Sequence, residues 1–276
     1  MGVDVDVAAL AREVMAAYEN KRVLRTPLSA RDPPLDLPTA YAVEAELTRL
    51  RRASGRTTVG RKVGYANKAL WRALKLDTLV WAHMYDDTVS YADDGRASVS
   101  VGRMCAPRIE PEIVFKLARP IEVGNVDAAA ILGCVEWLAI GFEIVDSIFA
   151  HWKFQPSDFV AAFGLHAALV VGEPQRLDAS SLPAWVDKLG QFRVRLLRNG
   201  TPMAEGAGRN SLRTPALCLG ELAAAIAKRV GEEPLLAGEL VSSGTLTEAL
   251  PISPGETWEV QVEGLDLANL IVGTRP

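Results

Sequence analysis

Glu110 and Glu112 stand two residues apart in the segment RIEPEIVFKL, with Pro111 between them. On a strand, residues two apart share a face, and their side chains start roughly 7 Å from one another. Two carboxylates so placed repel each other. One reading is a solvent-facing edge strand, where Glu is common and Pro111 is tolerated. The other is a pair waiting for a cation. Glu143 bears on the choice. It sits in WLAIGFEIVDS, flanked by Ile140, Phe142, Ile144 and Val145. A carboxylate in so apolar a run is expected to be buried, and an unpaired buried charge costs several kcal/mol. A basic partner, a proton or a metal ion must neutralise it. If Glu110, Glu112 and Glu143 converge, their hard oxygen donors suit Mg²⁺, with positions left open for a bidentate oxygen ligand such as a 2-oxo carboxylate or its enol.

Other chemistries have less support. His83, His151 and His166 are scattered, and Cys105, Cys134 and Cys218 form no thiolate cluster, so a zinc site is disfavoured. An odd number of cysteines in apolar surroundings fits core residues in a reducing cytoplasm. Lys62 lies in GRKVG between two glycines, where the backbone can approach a ligand closely. It is either an exposed strand lysine or a group projecting into a cleft as an acid/base or a carboxylate anchor. Asp86 and Asp87, in MYDDTVSY, read as a turn or strand end, or as a proton-transfer group if the surroundings move a pKa.

The elements that must carry these residues are legible in outline. Leu10, Val14 and Tyr18 repeat at helical spacing, as do Val43, Leu47 and Leu50, with a proline-rich connection between the two runs. From Thr58 the texture changes to short β-rich segments punctuated by Gly and Pro. The segment RIEPEIVFKL alternates, FRVRLLRNGTPMAEG reads as a hairpin turning at Asn199-Gly200, and PALCLGELAAAIAKRVG as a helix with Pro215 early and Gly231 just past its end. We therefore expect a helical region over residues 1–57 and a β-rich catalytic domain over 58–276, in an α+β or mainly-β fold.

Composition excludes several classes. The chain has 276 residues, 49% hydrophobic and 23% charged, as globular domains do. With 30 basic and 34 acidic residues and a net charge of −4, it carries no electrostatic footprint for nucleic acid. The most apolar stretch, Ile131 to Ala150, contains Glu136, Glu143 and Asp146, which argues against a membrane span. The N-terminus has no basic region of the signal-peptide type.

Taken together, LPTAYAVEAELTRLRRASGRTTVGRKVGYANKAL, MYDD, PRIEPEIVFKL, GFEIVDS, HWKFQPSDFVA, RNG and SSGTLTEALPISPGET resemble the fumarylacetoacetate hydrolase superfamily. More narrowly they resemble its 2-keto-4-pentenoate hydratase / 4-oxalocrotonate decarboxylase branch. The resemblance implies an α+β fold, a mixed β-roll of the fumarylacetoacetate hydrolase C-terminal type with a helical N-terminal region. It implies Mg²⁺ or Mn²⁺ held by Glu110, Glu112 and Glu143, and Lys62 with Asp86 as the acid/base pair, Asp87 being the weaker choice. It places Thr247 near the substrate and suggests a homo-oligomer. The activity implied is addition of water to a 2-hydroxy-2,4-dienoate, with decarboxylation of a 2-oxo-enedioate as the neighbouring reaction, and acylpyruvate cleavage or a non-catalytic scaffold further off.

The chain departs from that branch at Ala162-Phe163-Gly164-Leu165-His166, where a polar stretch is usual, and at Glu248, where a basic residue is common. These departures put Leu165 and His166 at the end of the pocket away from the metal. There His166 is either a contact for the substrate tail, a proton relay, or a core histidine satisfied by a carbonyl.

Overall fold

The computed structural model describes residues 5–124 and 126–276. The chain opens with helices α1 (Val7–Glu19) and α2 (Leu37–Ala53). Both start on an aspartate whose side chain accepts a backbone N–H of the first turn, from Asp6 to Ala9 and from Asp36 to Thr39. Strands and short helices follow in the order β1 (Thr58–Gly64), α3 (Lys68–Leu74), β2 (Val80–Tyr85), β3 (Val89–Tyr91), β4 (Arg96–Ser100), β5 (Pro107–Leu117), α4 (Ala128–Leu132), β6 (Val135–Asp146), α5 (Pro156–Ala161), β7 (His166–Val171) and β8 (Gln175–Arg176). The last part holds α6 (Leu182–Gln191), β9 (Arg193–Arg198), β10 (Thr201–Ala207), α7 (Pro215–Ala227), β11 (Leu240–Ser242), β12 (Leu250–Pro251), β13 (Thr257–Glu263) and β14 (Leu270–Arg275).

The strands form two sheets. The larger runs β2-β1-β11-β5-β6-β7-β3, with β12 also on β5 and β8 also on β6; the smaller runs β10-β9-β13-β14-β4. Parallel pairs (β1 with β11, β3 with β7, β4 with β14) are mixed with antiparallel ones. This is the α+β architecture with a mixed β-roll and N-terminal helices that the sequence led us to expect. The buried faces of α1 (Ala11, Val14, Ala17) and α2 (Val43, Leu47) join the same core as Phe115, Phe142 and Trp258 from the sheets. The hairpin turns at Asn199 and Gly200, both in the left-handed region a type I′ turn requires. Helix α7 stops at Ala227, ahead of Gly231.

The longest strands, β5 and β6, pair antiparallel along nearly their whole length and are buried on both faces. That disposes of the edge-strand reading of Glu110 and Glu112, because β5 lies between β6 and β11. Pro111 is tolerated inside the sheet for a local reason. β11 pairs with residues 114–116 and β12 with 108–109, so between them β5 has no continuous neighbour on that side. The Pro111 carbonyl accepts the Leu246 N–H there at 2.9 Å. Its missing N–H faces the same gap, since the two groups of a strand residue point to one side.

Candidate metal centre and active site

The β5–β6 register sets Glu110 directly opposite Glu143 and Glu112 opposite Gly141. Glu110 and Glu112, two apart, share a face, so all three carboxylates turn toward one point. One oxygen from each lies within 4.8 Å of the others. Glu112 and Glu143 are fully buried, while Glu110 is partly exposed on a cavity wall.

Each acid is held differently. One oxygen of Glu112 accepts the Ser242 hydroxyl at 2.6 Å and the Gly244 N–H at 2.8 Å. Its other oxygen, Oε1, is buried with no protein partner. Glu143 is gripped at both ends: Lys62 Nζ donates to Oε2 at 2.9 Å, and His166 Nδ1 lies 2.8 Å from Oε1. The lysine comes from β1 and the histidine from the start of β7, so five adjacent strands (β1, β11, β5, β6, β7) build the centre. Lys62 is 1% exposed, which removes the surface-lysine reading. Its ammonium lies 5.0 Å from the centre of the Phe159 ring.

The charges do not balance, and the acidities show it. Burial pushes the Glu110 carboxyl up to about 7 against the opposing pull of Lys62, with Glu143 adding to the rise. Burial, then the charges of Glu143 and Glu110, hold Glu112 well above the ordinary carboxylate range. For Glu143 burial works the same way, but the Lys62 charge and the His166 contact outweigh it and its pKa is lowered. Burial would lower Lys62; the three carboxylates outweigh it and raise its pKa. The centre thus has Glu143 paired with the Lys62 ammonium, and two further acids whose ionisation burial and mutual repulsion oppose and an arriving cation would favour. The unpartnered Glu112 oxygen and the all-carboxylate donor set fit a hard divalent ion.

A cavity of about 490 Å³ opens beside this centre, lined by Lys62, Glu110, Leu165 and Thr247 among others. The Thr247 hydroxyl donates to the Glu248 carbonyl at 2.9 Å. A larger cavity of about 670 Å³, bounded by β9, β10 and β13, shares only Asn210 with it and holds none of the acids.

His166 does not line the acidic cavity. It lies behind Glu143, with Nε2 at 2.9 Å from the Thr88 hydroxyl, and faces a second cavity of about 410 Å³ that also touches Tyr18 and Tyr85. Its partner is a carboxylate and not the backbone carbonyl one reading supposed. Asp86 is exposed in the turn after β2, where its Oδ1 accepts the Thr57 N–H at 3.1 Å, and it lines neither of these cavities. Asp87 pairs with Arg51 and Arg56. The structure therefore gathers Lys62, Glu110, Glu112, Glu143, Leu165 and Thr247, sets His166 one layer behind, and leaves Asp86 apart.

The sequence reading passed over Ser242 and Gly244, which hold Glu112, and Thr88, which meets His166. Ser242 and Gly244 stand in the SSG stretch whose polar, small character was available as a signal. Thr88 offered none.

No family model matches the chain. It is 30% identical over 257 residues to 2-hydroxyhexa-2,4-dienoate hydratase of Comamonas testosteroni, covering 92% of this chain and 93% of that one. It is also 30% identical over 243 residues to 2-keto-4-pentenoate hydratase of Paraburkholderia xenovorans (strain LB400), covering 87% and 85%. In fold it is similar to 4-oxalocrotonate decarboxylase from Pseudomonas putida G7, solved with magnesium and adipate, at a TM-score of 0.85, 24% identity and 97% coverage of both chains. The chain belongs to the 2-keto-4-pentenoate hydratase / 4-oxalocrotonate decarboxylase family.

Proposed function

We propose that the protein is a divalent-metal-dependent hydratase that adds water to 2-hydroxy-2,4-dienoates. The observation that carries this reading is the meeting of Glu110, Glu112 and Glu143 beside Lys62, next to the cavity that Lys62 and Glu110 line. The three glutamates would hold Mg²⁺ or Mn²⁺, and the bound ion would polarise the substrate's 2-oxygen and offset the negative charge that grows there. The Lys62 ammonium gives a proton to C5 and takes one back from the 2-hydroxyl, giving a 2-oxo-3-ene. Water then adds its oxygen at C4 and a proton at C3. Glu143 Oε2, 2.9 Å away, keeps the ammonium aimed and charged between transfers. Leu165 and Thr247 wall the substrate, and His166 steadies Glu143 from behind. Asp86, exposed in the turn after β2, is given no part in this scheme.

All of these groups belong to residues 58–276, which we take as the catalytic part, with the helices of 1–57 covering it. Among the described residues no helix is long and apolar enough to cross a membrane. The three cysteines are free, which suits a reducing cytoplasm. Self-association into a homo-oligomer is proposed on the family likeness, and light scattering on the purified protein tests it.

The deciding experiment gives Mg²⁺-loaded protein 2-hydroxypenta-2,4-dienoate. Expected are loss of the conjugated ultraviolet band and a product heavier by one water. Carbon dioxide release from a 2-oxo-enedioate without hydration of the dienoate would make the protein a decarboxylase. Cleavage of an acylpyruvate alone would make it a hydrolase.

A further inference from the structure

We propose that the cavity is built for a substrate whose far end is a bulky, uncharged hydrocarbon group, branched or ring-sized, and not a second carboxylate. This deepens the hydratase reading and rests on it for the placing of the substrate's acid end at Lys62 and Glu110. Beside the polar Asn67, Asn210, Thr245 and Thr247, the cavity wall carries six large apolar side chains, Tyr65, Leu70, Trp152, Phe154, Phe159 and Leu165, of which Phe159 and Leu165 flank Lys62.

Three of these side chains are presented from backbone that large residues rarely adopt. Tyr65, Trp152 and Leu165 have φ of 58°, 57° and 57°. Left-handed backbone is a genuine outlier for bulky residues and persists only where the surroundings over-determine it, commonly at ligand clamps. Here the determinants are visible. Gly164, with φ of 60°, sits so close that an added Cβ would lie 2.7 Å from Lys62 Cδ and 2.9 Å from Ala82 Cβ. The turn 163–165 is therefore pressed onto the stem of the lysine, which brings Leu165 alongside it. Trp152 is pinned by its indole N–H to the Ala106 carbonyl at 3.1 Å and by Arg108, 4.1 Å from its ring centre. Tyr65 meets Phe159 edge-on at 5.3 Å.

Charge and size then choose the ligand. Among the described residues lining the cavity, Lys62 is the one cation, and Glu143 already holds it. Arg108 lies outside the lining, stacked on Trp152. A second carboxylate pushed against these rings would lose its water and find no cation to neutralise it, the remaining polar lining being the uncharged Asn67, Asn210, Thr245 and Thr247. Pockets of about 300–1,000 Å³ hold drug-sized ligands. At about 490 Å³ this one leaves most of its apolar wall untouched if the dienoate has no tail. Each methylene buried there should tighten binding roughly fourfold.

The test measures affinity by calorimetry, so that it does not depend on turnover. Mg²⁺-loaded protein is titrated with 2-oxobutanoate, 2-oxooctanoate, a 2-oxo acid with a terminal phenyl group, and 2-oxoadipate. The expected order has the octanoate and the phenyl compound at least tenfold tighter than 2-oxobutanoate, and 2-oxoadipate no tighter than it. Leu165→Asn keeps a residue that tolerates left-handed backbone while making the wall polar. It should erase most of the tail's gain. Leu70→Ser, at a rim position 47% exposed and so safe for folding, should act in the same direction more weakly. A flat series, a preference for 2-oxoadipate, or an equal loss for short and long acids in both variants overturns the inference and leaves the hydratase reading standing. Failure of every 2-oxo acid to bind overturns that reading as well. Tail-dependent binding with no dienoate turned over sinks the hydratase reading alone.

Discussion

Glu143 is the residue on which the centre turns, because it takes Lys62 on one oxygen and His166 on the other. That double grip decides which variants are informative. Glu143→Ala would leave a buried ammonium without its partner, a loss of about 3–5 kcal/mol, and is expected to yield little folded protein. Glu143→Gln keeps the volume and removes the charge; it should fold, lose at least tenfold in Mn²⁺ affinity by calorimetry, and show no turnover. Unchanged Mn²⁺ affinity would remove Glu143 from the ligand set. Lys62→Met should keep Mn²⁺ bound within a few-fold and lower kcat by roughly 10²–10⁴, the usual reach of a general acid/base. Full activity in that variant would end its proposed role. At this scale the sequence was informative where an ionisable group stood in apolar company, as at Glu143. It was silent where partners are distant in the chain. Nothing in AFGLH says that His166 meets a carboxylate 23 residues earlier. Nor does the charged run of α2 reveal that Glu44 is buried against His83, at 2.7 Å.

The elements supply what side-chain types cannot, namely register and neighbours. Alternation in RIEPEIVFKL marks a strand, but alternation alone does not say whether the strand is an edge. β5 is interior because β11 and β12 lie along its other side, and those short strands were not legible as sheet members. The helical segments, the 199–200 hairpin and the change of texture at residue 58 were legible because each depends on local periodicity or turn chemistry. The order of strands was not, because it depends on pairings between distant residues. One close approach exposes this dependence to experiment. A Cβ on Gly60 would lie 1.9 Å from the Leu240 carbonyl oxygen, within the parallel pair that carries Lys62 and Ser242. Gly60→Ala should destabilise the fold by about 1–3 kcal/mol or more, read as a lower urea midpoint. It should also weaken Mn²⁺ binding, since both strands lead into the centre. A wild-type midpoint would mean that β1 and β11 are not packed as described.

For the molecule as a whole, the crowding of acids ties stability to pH. Glu110 titrates near 7 in the fold against an ordinary 4.5, so between these values the folded protein holds more proton than the unfolded chain. Its contribution to stability is complete below about 4.5 and is lost as pH rises through about 7. Glu112 shifts in the same direction. The thermal midpoint of the metal-free protein should therefore carry a component that falls over this interval. Millimolar Mg²⁺ should raise the midpoint more above about pH 7 than below it; a shift independent of pH would count against these acids as the site of binding. If these acids are the seat of a divalent cation, the same crowding would make its loading an act of acidification. Near neutrality the cation would displace hydrogen ion from Glu110, so an unbuffered solution of the metal-free protein should turn more acid when neutral magnesium chloride is added. Inside a cell, acidity and free magnesium would then trade against each other in setting how much of the enzyme is armed.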